Sequence, residues 1–371
     1  MKKVLILSDI NSAHTQRWVT ALAAEGIEVG IFTLSYPVSE WYKLIPNVKV
    51  LFDAKKQDSI QQKGSFSKIK YIKVVPQLKK IISSFKPDIL HAHYATSYGL
   101  IGSLSKFHPY IISAWGSDVM DFPNKSYFHK KILQFNFKRA DMLLATSNAI
   151  VEAIKEVSEV KTQVIPFGID TNIFQPLKKE KDDAKDEIVV GTIKSLETIY
   201  GIDILIQAFK IVTEKHKNIK LKLLLVGGGS KEERLKALVK ELNLEKNTLF
   251  AGKVEYSKIV QYHNCIDIFV NVSRNESFGV AVLESSACEK PVIVSNVGGL
   301  KEVVLNNVTG FLTEPENIQD VANAIEKLVL NKNIRDEMGE HGRKFVKEKY
   351  EFSKNVDETI SLYEKLTNKI I

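Results

Sequence analysis

Cysteine is scarce in this chain, which has only two among 371 residues, Cys265 and Cys288. Two cysteines cannot build a disulfide framework, and without a Cys-x-x-Cys pattern both are interpreted as small core residues. Long apolar runs are also missing, since none approaches the ~20 residues of a membrane-spanning helix. The first apolar run ends at Ser8 and predicts a buried strand rather than a signal peptide. These features favour a reducing, cytoplasmic compartment.

Acidic residues are nearly absent from one long segment. Between Ala54 and Lys86 there are nine lysines and one acid, Asp58, and the net charge of the chain is +8. A second basic group follows, made of Lys125, Lys130, Lys131, Lys138 and Arg139. The plainer interpretation is a solvated face, and the alternative is attraction to an anionic membrane surface or another anionic partner. Nucleic acid is not expected, because no nucleic-acid-binding motif accompanies the charge.

Strand-like and helix-like segments alternate along the whole chain, which predicts an α/β protein with two doubly wound, Rossmann-like domains. Strands are predicted at 3–7, 27–34, 89–91, 110–113, 142–146 and 163–165, then at 188–193, 221–226, 248–250, 268–270 and 291–295. The predicted division is 1–175, a linker at 176–187, a second domain at 188–350 and a terminal helix at 351–371. Ligands of such folds bind at the carboxyl ends of the strands, so two facing domains predict a cleft.

The segment from Ser273 to Glu284 carries the clearest chemical signal. It follows a predicted strand and opens a helix near Gly279, where free N–H groups and the helix dipole favour phosphate. Glu276 and Glu284 would repel a diphosphate and are better suited to accept hydrogen bonds from neutral hydroxyls. A ligand with hydroxyls on both sides of a diphosphate, such as a nucleotide sugar, fits this pattern. The alternative is one helix-start acid and one surface acid.

Several motifs in order resemble the retaining GT-B glycosyltransferases of family 4, which include bacterial surface-polysaccharide enzymes. They are Pro166 to Asp170, Gly191 to Phe209, Val226 to Gly229, Phe250 to Val254, the two glutamates of the 273–284 segment, and Val297 to Leu312, the last similar to a helix and turn. The resemblance covers nearly the whole C-terminal half and is weaker in the N-terminal half. It implies a cleft between the two domains and a C-terminal helix that crosses back to the first.

The same resemblance implies roles for individual residues in the C-terminal half. Glu284 would bind the ribose diol, and Glu276 would contact sugar hydroxyls. The phosphates and sugar would be held by the backbone amides of Phe278, Gly279 and Val280. The base would stack near the segment that contains Lys253 and Val254, under the loop at Gly228.

The family's usual diphosphate cations are missing, because Thr192 and Tyr200 stand in their places. A departing diphosphate gains negative charge in the transition state, so at least one fixed cation is needed. Lys194 is predicted to supply it, with Lys253 and Arg274 as candidates for a second. The alternative for Lys194 is an exposed loop lysine.

In the N-terminal half, His93 resembles the family histidine that faces the donor sugar, whereas His91 is expected to be a core or supporting residue. A hydrogen-bonded structural histidine is the alternative for His93. Neither has a third ligand at metal spacing, so no metal site is predicted. Trp115 replaces a histidine that this part of the family often carries, and acceptor contacts are predicted for His14, Trp115 and Asp118. An Asx turn is the alternative for Asp118.

The first loop lacks the family's paired glycines, and Ser12 is predicted to offer donors to the nucleotide sugar at the following helix start. The function expected from the resemblance is metal-independent, retaining transfer from a nucleotide-diphosphate sugar, with no cofactor. UDP is the first expectation for the nucleotide and GDP the second. The expected acceptor is a lipid-linked or polysaccharide intermediate of a surface glycan. The alternatives are a nucleotide-sugar epimerase, a phosphorylase-like enzyme, and a non-catalytic nucleotide-sugar-binding protein.

Overall fold

The structure is a computed structural model that describes residues 2–52, 69–177 and 187–368. The chain forms two compact units, one of Met1–Phe167 with Ser353–Ile371 and one of Gly168–Phe352. They are called unit 1 and unit 2 below. Most of the predicted linker at 176–187 lies outside the described residues, as does much of the lysine-rich segment at 54–86.

Unit 1 contains a seven-stranded, all-parallel sheet in the order β3-β2-β1-β4-β5-β6-β7. Its central strands are buried on both faces, as expected for a parallel sheet covered by helices. The strands are β1 Lys3–Leu7, β2 Glu28–Phe32, β3 Val48–Val50, β4 Ile89–His93, β5 Tyr110–Ala114, β6 Met142–Ala145 and β7 Thr162–Val164. The helices are α1 Ala13–Ala24, α2 Ile69–Ile72, α3 Val75–Phe85, α4 Ser97–Ser105, α5 Ser117–Met120, α6 Tyr127–Arg139 and α7 Asn148–Lys155.

Unit 2 contains a six-stranded parallel sheet in the order β10-β9-β8-β11-β12-β13. Its strands are β8 Glu187–Ile193, β9 Lys220–Val226, β10 Thr248–Gly252, β11 Ile268–Asn271, β12 Val292–Ser295 and β13 Gly310–Thr313. Its helices are α8 Ile202–Lys215, α9 Glu232–Glu241, α10 Ile259–Cys265, α11 Val280–Ala287, α12 Ile318–Leu330 and α13 Lys332–Lys349. The last helix of the chain, α14 Phe352–Asn368, packs in unit 1, where Tyr363 is fully buried.

The predicted α/β class with two doubly wound, Rossmann-like domains is confirmed. The prediction was wrong for part of the segment at 297–312, assigned to a helix and turn, which forms a short 3-10 helix at Gly298–Glu302 and then strand β13. In each unit the strand order reverses once, between β1 and β4 in unit 1 and between β8 and β11 in unit 2. Ligands of open parallel sheets bind at the carboxyl ends of the strands beside such a reversal.

Among the described residues, no helix has both the length and the apolar character needed to cross a bilayer.

Candidate active site

Four loops of unit 2 carry most of the predicted donor-binding residues, and each follows the carboxyl end of a strand. Lys194 follows β8, Gly228 follows β9, Lys253 follows β10, and Glu276 lies in the loop after β11. These four strands are neighbours in the sheet, so the loops share one edge. The edge includes the β8–β11 reversal, where a ligand is expected.

Lys194 and Glu276 meet at this reversal. The Lys194 ammonium forms an ion pair with Glu276 Oε2, and the two side chains are only 15% and 13% exposed. The same ammonium lies 4.5 Å from the centroid of the Tyr200 ring, a cation–π contact. Ser273 Oγ lies 3.5 Å from the same Glu276 oxygen. The Lys194 side chain is therefore fixed by these contacts and largely shielded from solvent, rather than an exposed loop lysine.

The backbone of Glu276 is held by the glycines at the start of the 3-10 helix. Gly299 N–H donates to the Glu276 carbonyl over 2.9 Å. A Cβ atom at Gly298 would lie 2.1 Å from that carbonyl oxygen, and Gly298 has a φ of +44°. A side chain at this position would push the Glu276 loop away, which explains the need for glycine here.

Helix α11 begins directly after Gly279, whose φ of +117° is a left-handed conformation. No side chain caps the helix start by a hydrogen bond, so its first N–H groups are available to an anion. The Phe278 side chain is buried and its ring lies 5.8 Å from that of Tyr350. The Phe278 side chain is therefore part of the packing, and the ligand contacts predicted for Phe278, Gly279 and Val280 concern their backbone amides.

Glu284 lies on α11 and is 5% exposed. His263 Nε2 lies 3.2 Å from Glu284 Oε2, and the Tyr256 hydroxyl donates to Oε1 over 3.4 Å. His263 Nδ1 in turn lies 2.6 Å from Ser285 Oγ. His263 and Tyr256 were not predicted from the sequence, because neither lies in a motif and both reach Glu284 only through the packing of α10 and the segment before it.

The two candidates for a second cation differ in their surroundings. Arg274 donates to both carboxylate oxygens of Asp203 over 2.9 and 2.8 Å and pairs with Glu316 over 2.6 Å. The hydrogen bonds to Asp203 raise the pKa of the guanidinium, so its charge is fixed and already balanced. Lys253 lies beside Gly228, where a Cβ would be 3.7 Å from the Lys253 Cβ. The geometry favours Lys253 over Arg274. Val254 follows in the same loop.

In unit 1, Ser12 and His14 follow β1, and His93 ends β4, so they lie at the carboxyl side of the β1–β4 reversal. His93 is buried, and its Nδ1 has no hydrogen-bond partner among the described residues. Burial and the neighbouring His14 lower the pKa of His93 to about 3. Both histidines are neutral at neutral pH, because burial and Arg17 lower the pKa of His14 to about 4.

An aromatic cluster surrounds these histidines. The His14 ring stacks on Phe167 with centroids 3.9 Å apart, and the Trp115 centroid lies 5.0 Å from that of His93. His91 behaves as the core residue that was expected, since its nitrogens lie 2.6 Å from the Tyr363 hydroxyl and 2.7 Å from Ser113 Oγ. His93, in contrast, has a buried ring nitrogen, Nδ1, that makes no hydrogen bond among the described residues.

Asp118 is fully buried and was predicted to contact an acceptor. Its carboxylate accepts backbone N–H bonds from Ala95 over 2.6 Å, from Gly116 over 2.8 Å and from Trp115 over 3.1 Å. These bonds occupy the buried carboxylate in holding the loops after β4 and β5, so the predicted acceptor contact is wrong for Asp118. The Asx turn is not formed either, because the bonded N–H groups of Trp115 and Gly116 precede Asp118 in the chain. Asp118 thereby fixes the backbone of Trp115.

Within the described residues, no group of three or more His, Cys, Asp and Glu side chains has the arrangement of a metal site.

Two family models match the chain, "Glycosyl transferase 4-like" over residues 3–147 and "Glycosyl transferases group 1" over residues 174–345. An uncharacterized glycosyltransferase of Methanocaldococcus jannaschii is 30% identical over 296 residues, which cover 78% of this chain and 79% of that protein. These matches favour a transferase over the epimerase alternative.

Solved structures share the fold over the full length. Sucrose-phosphate synthase from Thermosynechococcus elongatus aligns with a TM-score of 0.85 at 21% identity and covers 100% of both chains. HepE from Anabaena, in complex with UDP and glucose, aligns with a TM-score of 0.76 at 20% identity over 99% of this chain and 100% of its own. The chain therefore belongs to the group 1, family-4-like glycosyltransferases and has their GT-B fold of two Rossmann-like domains.

Proposed function

We propose that this glycosyltransferase transfers a hexosyl or related sugar from UDP-sugar to an acceptor hydroxyl, with retention of configuration and without a metal ion. The observation that carries the proposal is the Lys194–Glu276 pair at the strand-order reversal of unit 2. In this proposal Lys194 is the fixed cation and Glu276 the carboxylate that binds sugar hydroxyls, and the start of α11, which no side chain caps, follows Glu276 in the chain. A nucleotide-diphosphate sugar needs these groups at the bond that breaks.

Lys194 and the first amides of α11 would hold the diphosphate. As the glycosidic bond breaks, negative charge accumulates on the departing UDP, and a cation already in place stabilises that charge without reorganisation. This role removes the need for a divalent ion. Lys253, in the neighbouring loop, is the proposed second cation.

Glu276 and Glu284 would bind hydroxyl groups on opposite sides of the diphosphate. Donor binding gives Lys194 a new anionic partner, and Glu276 is then free to accept hydrogen bonds from the sugar. Glu284 would accept hydrogen bonds from the ribose diol, with its orientation set by His263. In this reaction an oxocarbenium-like sugar forms, and the acceptor attacks from the face that UDP leaves, with a phosphate oxygen taking the proton.

His93 would contact the donor sugar as a neutral imidazole, and Ser12 would contribute donors at the start of α1. The lowered pKa of His93 supports a hydrogen-bonding role rather than that of a charged acid. His14 and Trp115 are the proposed acceptor contacts, since they form one aromatic cluster with His93. Aromatic faces bind the apolar faces of sugar rings.

UDP is proposed as the nucleotide because HepE, which shares the fold, was solved with UDP and glucose. The acceptor is proposed to be a lipid-linked or polysaccharide intermediate in surface-glycan synthesis at the cytoplasmic side of the membrane. The N-terminal half is rich in lysine, and this positive charge would attract an anionic membrane surface or an anionic acceptor.

The test is UDP-sugar turnover with chelator present, followed by proton NMR so that the anomeric configuration of the product is read directly. Lys194→Met is expected to lower kcat about 100-fold, as the loss of one transition-state donor does. The matched control is Lys215→Met, because Lys215 also pairs with a glutamate of unit 2, Glu326, but lies elsewhere. Wild-type kcat in Lys194→Met, inversion of configuration, or loss of turnover with chelator would each contradict the proposal.

A further inference from the structure

Helix α6 of unit 1 has an unusual outward face. Tyr127 and Phe128, at its start, are 71% and 77% exposed, and Phe135 is 37% exposed. Large aromatic side chains at such exposure cost free energy in water, because their apolar surface remains hydrated. Three of them on one 13-residue helix form a patch rather than scattered single residues.

The charges of α6 are all of one sign. The segment from Phe122 to Ala140 has no acidic residue and contains five cations: Lys125, Lys130, Lys131, Lys138 and Arg139. All five are exposed. Asp121 and Asp141 border the segment, so the net charge over 121–141 is five minus two, or +3.

Helical spacing puts aromatic and basic side chains on the same face. Tyr127, Lys131, Phe135 and Lys138 follow one another at intervals of four, four and three residues, which brings them to one side of the helix. The opposite side contains Leu133 and is packed into the core. The Lys131 ammonium lies 5.2 Å from the Tyr127 ring, and the Arg139 guanidinium lies 5.5 Å from the Phe135 ring.

We propose that this face of α6 docks unit 1 onto the surface of a membrane that contains anionic lipid. The aromatic rings would enter the boundary between headgroups and acyl chains, while the lysines and arginine contact anionic headgroups. The patch is too small for permanent anchoring, so binding would be reversible and sensitive to salt.

The position of the patch links membrane binding to the proposed site residues of unit 1. In a parallel sheet each crossover helix runs back against the strands, so the start of α6 lies on the carboxyl side of the unit 1 sheet. This is the side where His93 ends β4 and Trp115 follows β5. A membrane bound at Tyr127 and Phe128 would bring lipid-borne molecules to that side of unit 1.

The experiment is co-sedimentation of the full chain with phosphatidylcholine vesicles that contain or lack phosphatidylglycerol. Wild-type protein is expected to bind only the anionic vesicles. The Tyr127→Ser/Phe128→Ser variant and the Lys130→Gln/Lys131→Gln variant should each bind about tenfold more weakly. Both pairs are exposed, so thermal unfolding and UDP binding should remain as in wild type.

The matched control is Leu249→Ser, which removes a 60% exposed apolar side chain from unit 2 and should leave vesicle binding unchanged. Three outcomes would overturn the proposal. They are wild-type binding that ignores anionic lipid, full binding by the Tyr127→Ser/Phe128→Ser variant, and binding to soluble dextran sulfate that matches vesicle binding in all variants. The last result would assign the patch to a soluble polyanion, such as an acceptor glycan. None of them depends on transfer activity, so the proposed function is tested separately.

Discussion

A nearly buried carboxylate such as that of Glu284 is stable only when hydrogen-bond donors replace the water that it loses. Two side chains of unit 2 supply such donors, His263 from α10 and Tyr256 from a short 3-10 helix at Tyr256–Lys258. His263 is itself fully buried and is fixed by Ser285 at its other nitrogen. The orientation of Glu284 therefore depends on a histidine that is not expected to touch the donor. The proposed binding of the ribose hydroxyls by Glu284 depends on the same histidine.

Replacing this histidine should weaken donor binding. His263→Phe fills much of the same space but donates no hydrogen bond to Glu284. Loss of a hydrogen bond to a charged group costs about 1.5–3 kcal/mol. The KM for UDP-sugar is thus expected to rise about tenfold or more, whereas kcat changes little because ribose is remote from the bond that breaks. Steady-state kinetics and calorimetric titration with UDP measure the two effects.

The same unit offers a matched control. His216 Nε2 lies 2.6 Å from Glu326, which is the same kind of pair outside the site. His216→Phe should leave the KM for UDP-sugar unchanged, and His263→Gln should recover part of the lost affinity. An unaltered KM in His263→Phe would show that Glu284 does not need this support.

At the scale of elements, strand β4 brings two histidines into the core of unit 1. His91 and His93 alternate onto the same side of the strand, and their ring centroids are 4.7 Å apart. Burial lowers the pKa of His91 well below its ordinary value of 6.5, as it lowers those of His93 and of nearby His14. The strand is thus built around uncharged imidazoles.

This arrangement makes the stability of unit 1 depend on pH. Because the folded pKa values are lowered, the unfolded chain binds more protons than the folded chain from pH 6.5 down to about pH 4. Stability should be constant above pH 6.5 and should fall on acidification, by about 2 kcal/mol per buried histidine at pH 5. Urea unfolding followed by tryptophan fluorescence measures this, since Trp18, Trp41 and Trp115 all belong to unit 1.

Variants identify the groups that titrate. His14→Leu should reduce the loss of stability between pH 7 and pH 5, because one of the three imidazoles is then absent. His108→Gln, which alters an exposed histidine of the same unit, should not reduce it. A free energy of unfolding that stays constant from pH 7 to pH 5 would mean that these histidines accept protons in the folded state.

The sequence predicted long elements and motif positions better than pairings across the chain. Strand β8 was predicted at 188–193 and is observed at Glu187–Ile193, because seven residues give a clear apolar pattern. Strands β3 and β13 were not predicted, because Lys49 interrupts the short apolar run of β3 and the residues of β13 were assigned to the turn that ends the segment at 297–312. Pro76 lies in the first turn of α3, where a missing N–H is tolerated, and α2 ends before it at Ile72.

The site residues that could be predicted are those in loops after the carboxyl ends of strands. Lys194 and Glu276 could be proposed together because both loops follow strands of one sheet, yet only the structure reveals their ion pair. The pairing of Arg274 with Asp203 joins residues 71 positions apart, and local patterns contain no signal for it. From the sequence, Tyr200 was noted only because it replaces a cation that the family usually has. In the structure its ring makes a cation–π contact with the Lys194 ammonium.

At the scale of the whole molecule, unit 1 is made from two separate parts of the chain. The residues of α14 return to it after unit 2 has been completed. Tyr363 on this helix is fully buried, and its hydroxyl lies 2.6 Å from His91 Nδ1. Most of the proposed donor-binding residues, including Lys194, Glu276 and Glu284, belong to unit 2.

This division predicts that damage to α14 affects the two units differently. Tyr363→Ala leaves a cavity beside β4 and removes the partner of His91, so unit 1 should lose about 3–5 kcal/mol of stability in tryptophan-monitored urea unfolding. The affinity for UDP should stay at the wild-type value in calorimetric titration, because the contacts proposed for the nucleotide lie in unit 2. Glu364→Ala, an exposed change on the same helix, should alter neither quantity. A parallel loss of UDP affinity in Tyr363→Ala would mean that unit 2 depends on an intact unit 1 to bind its nucleotide.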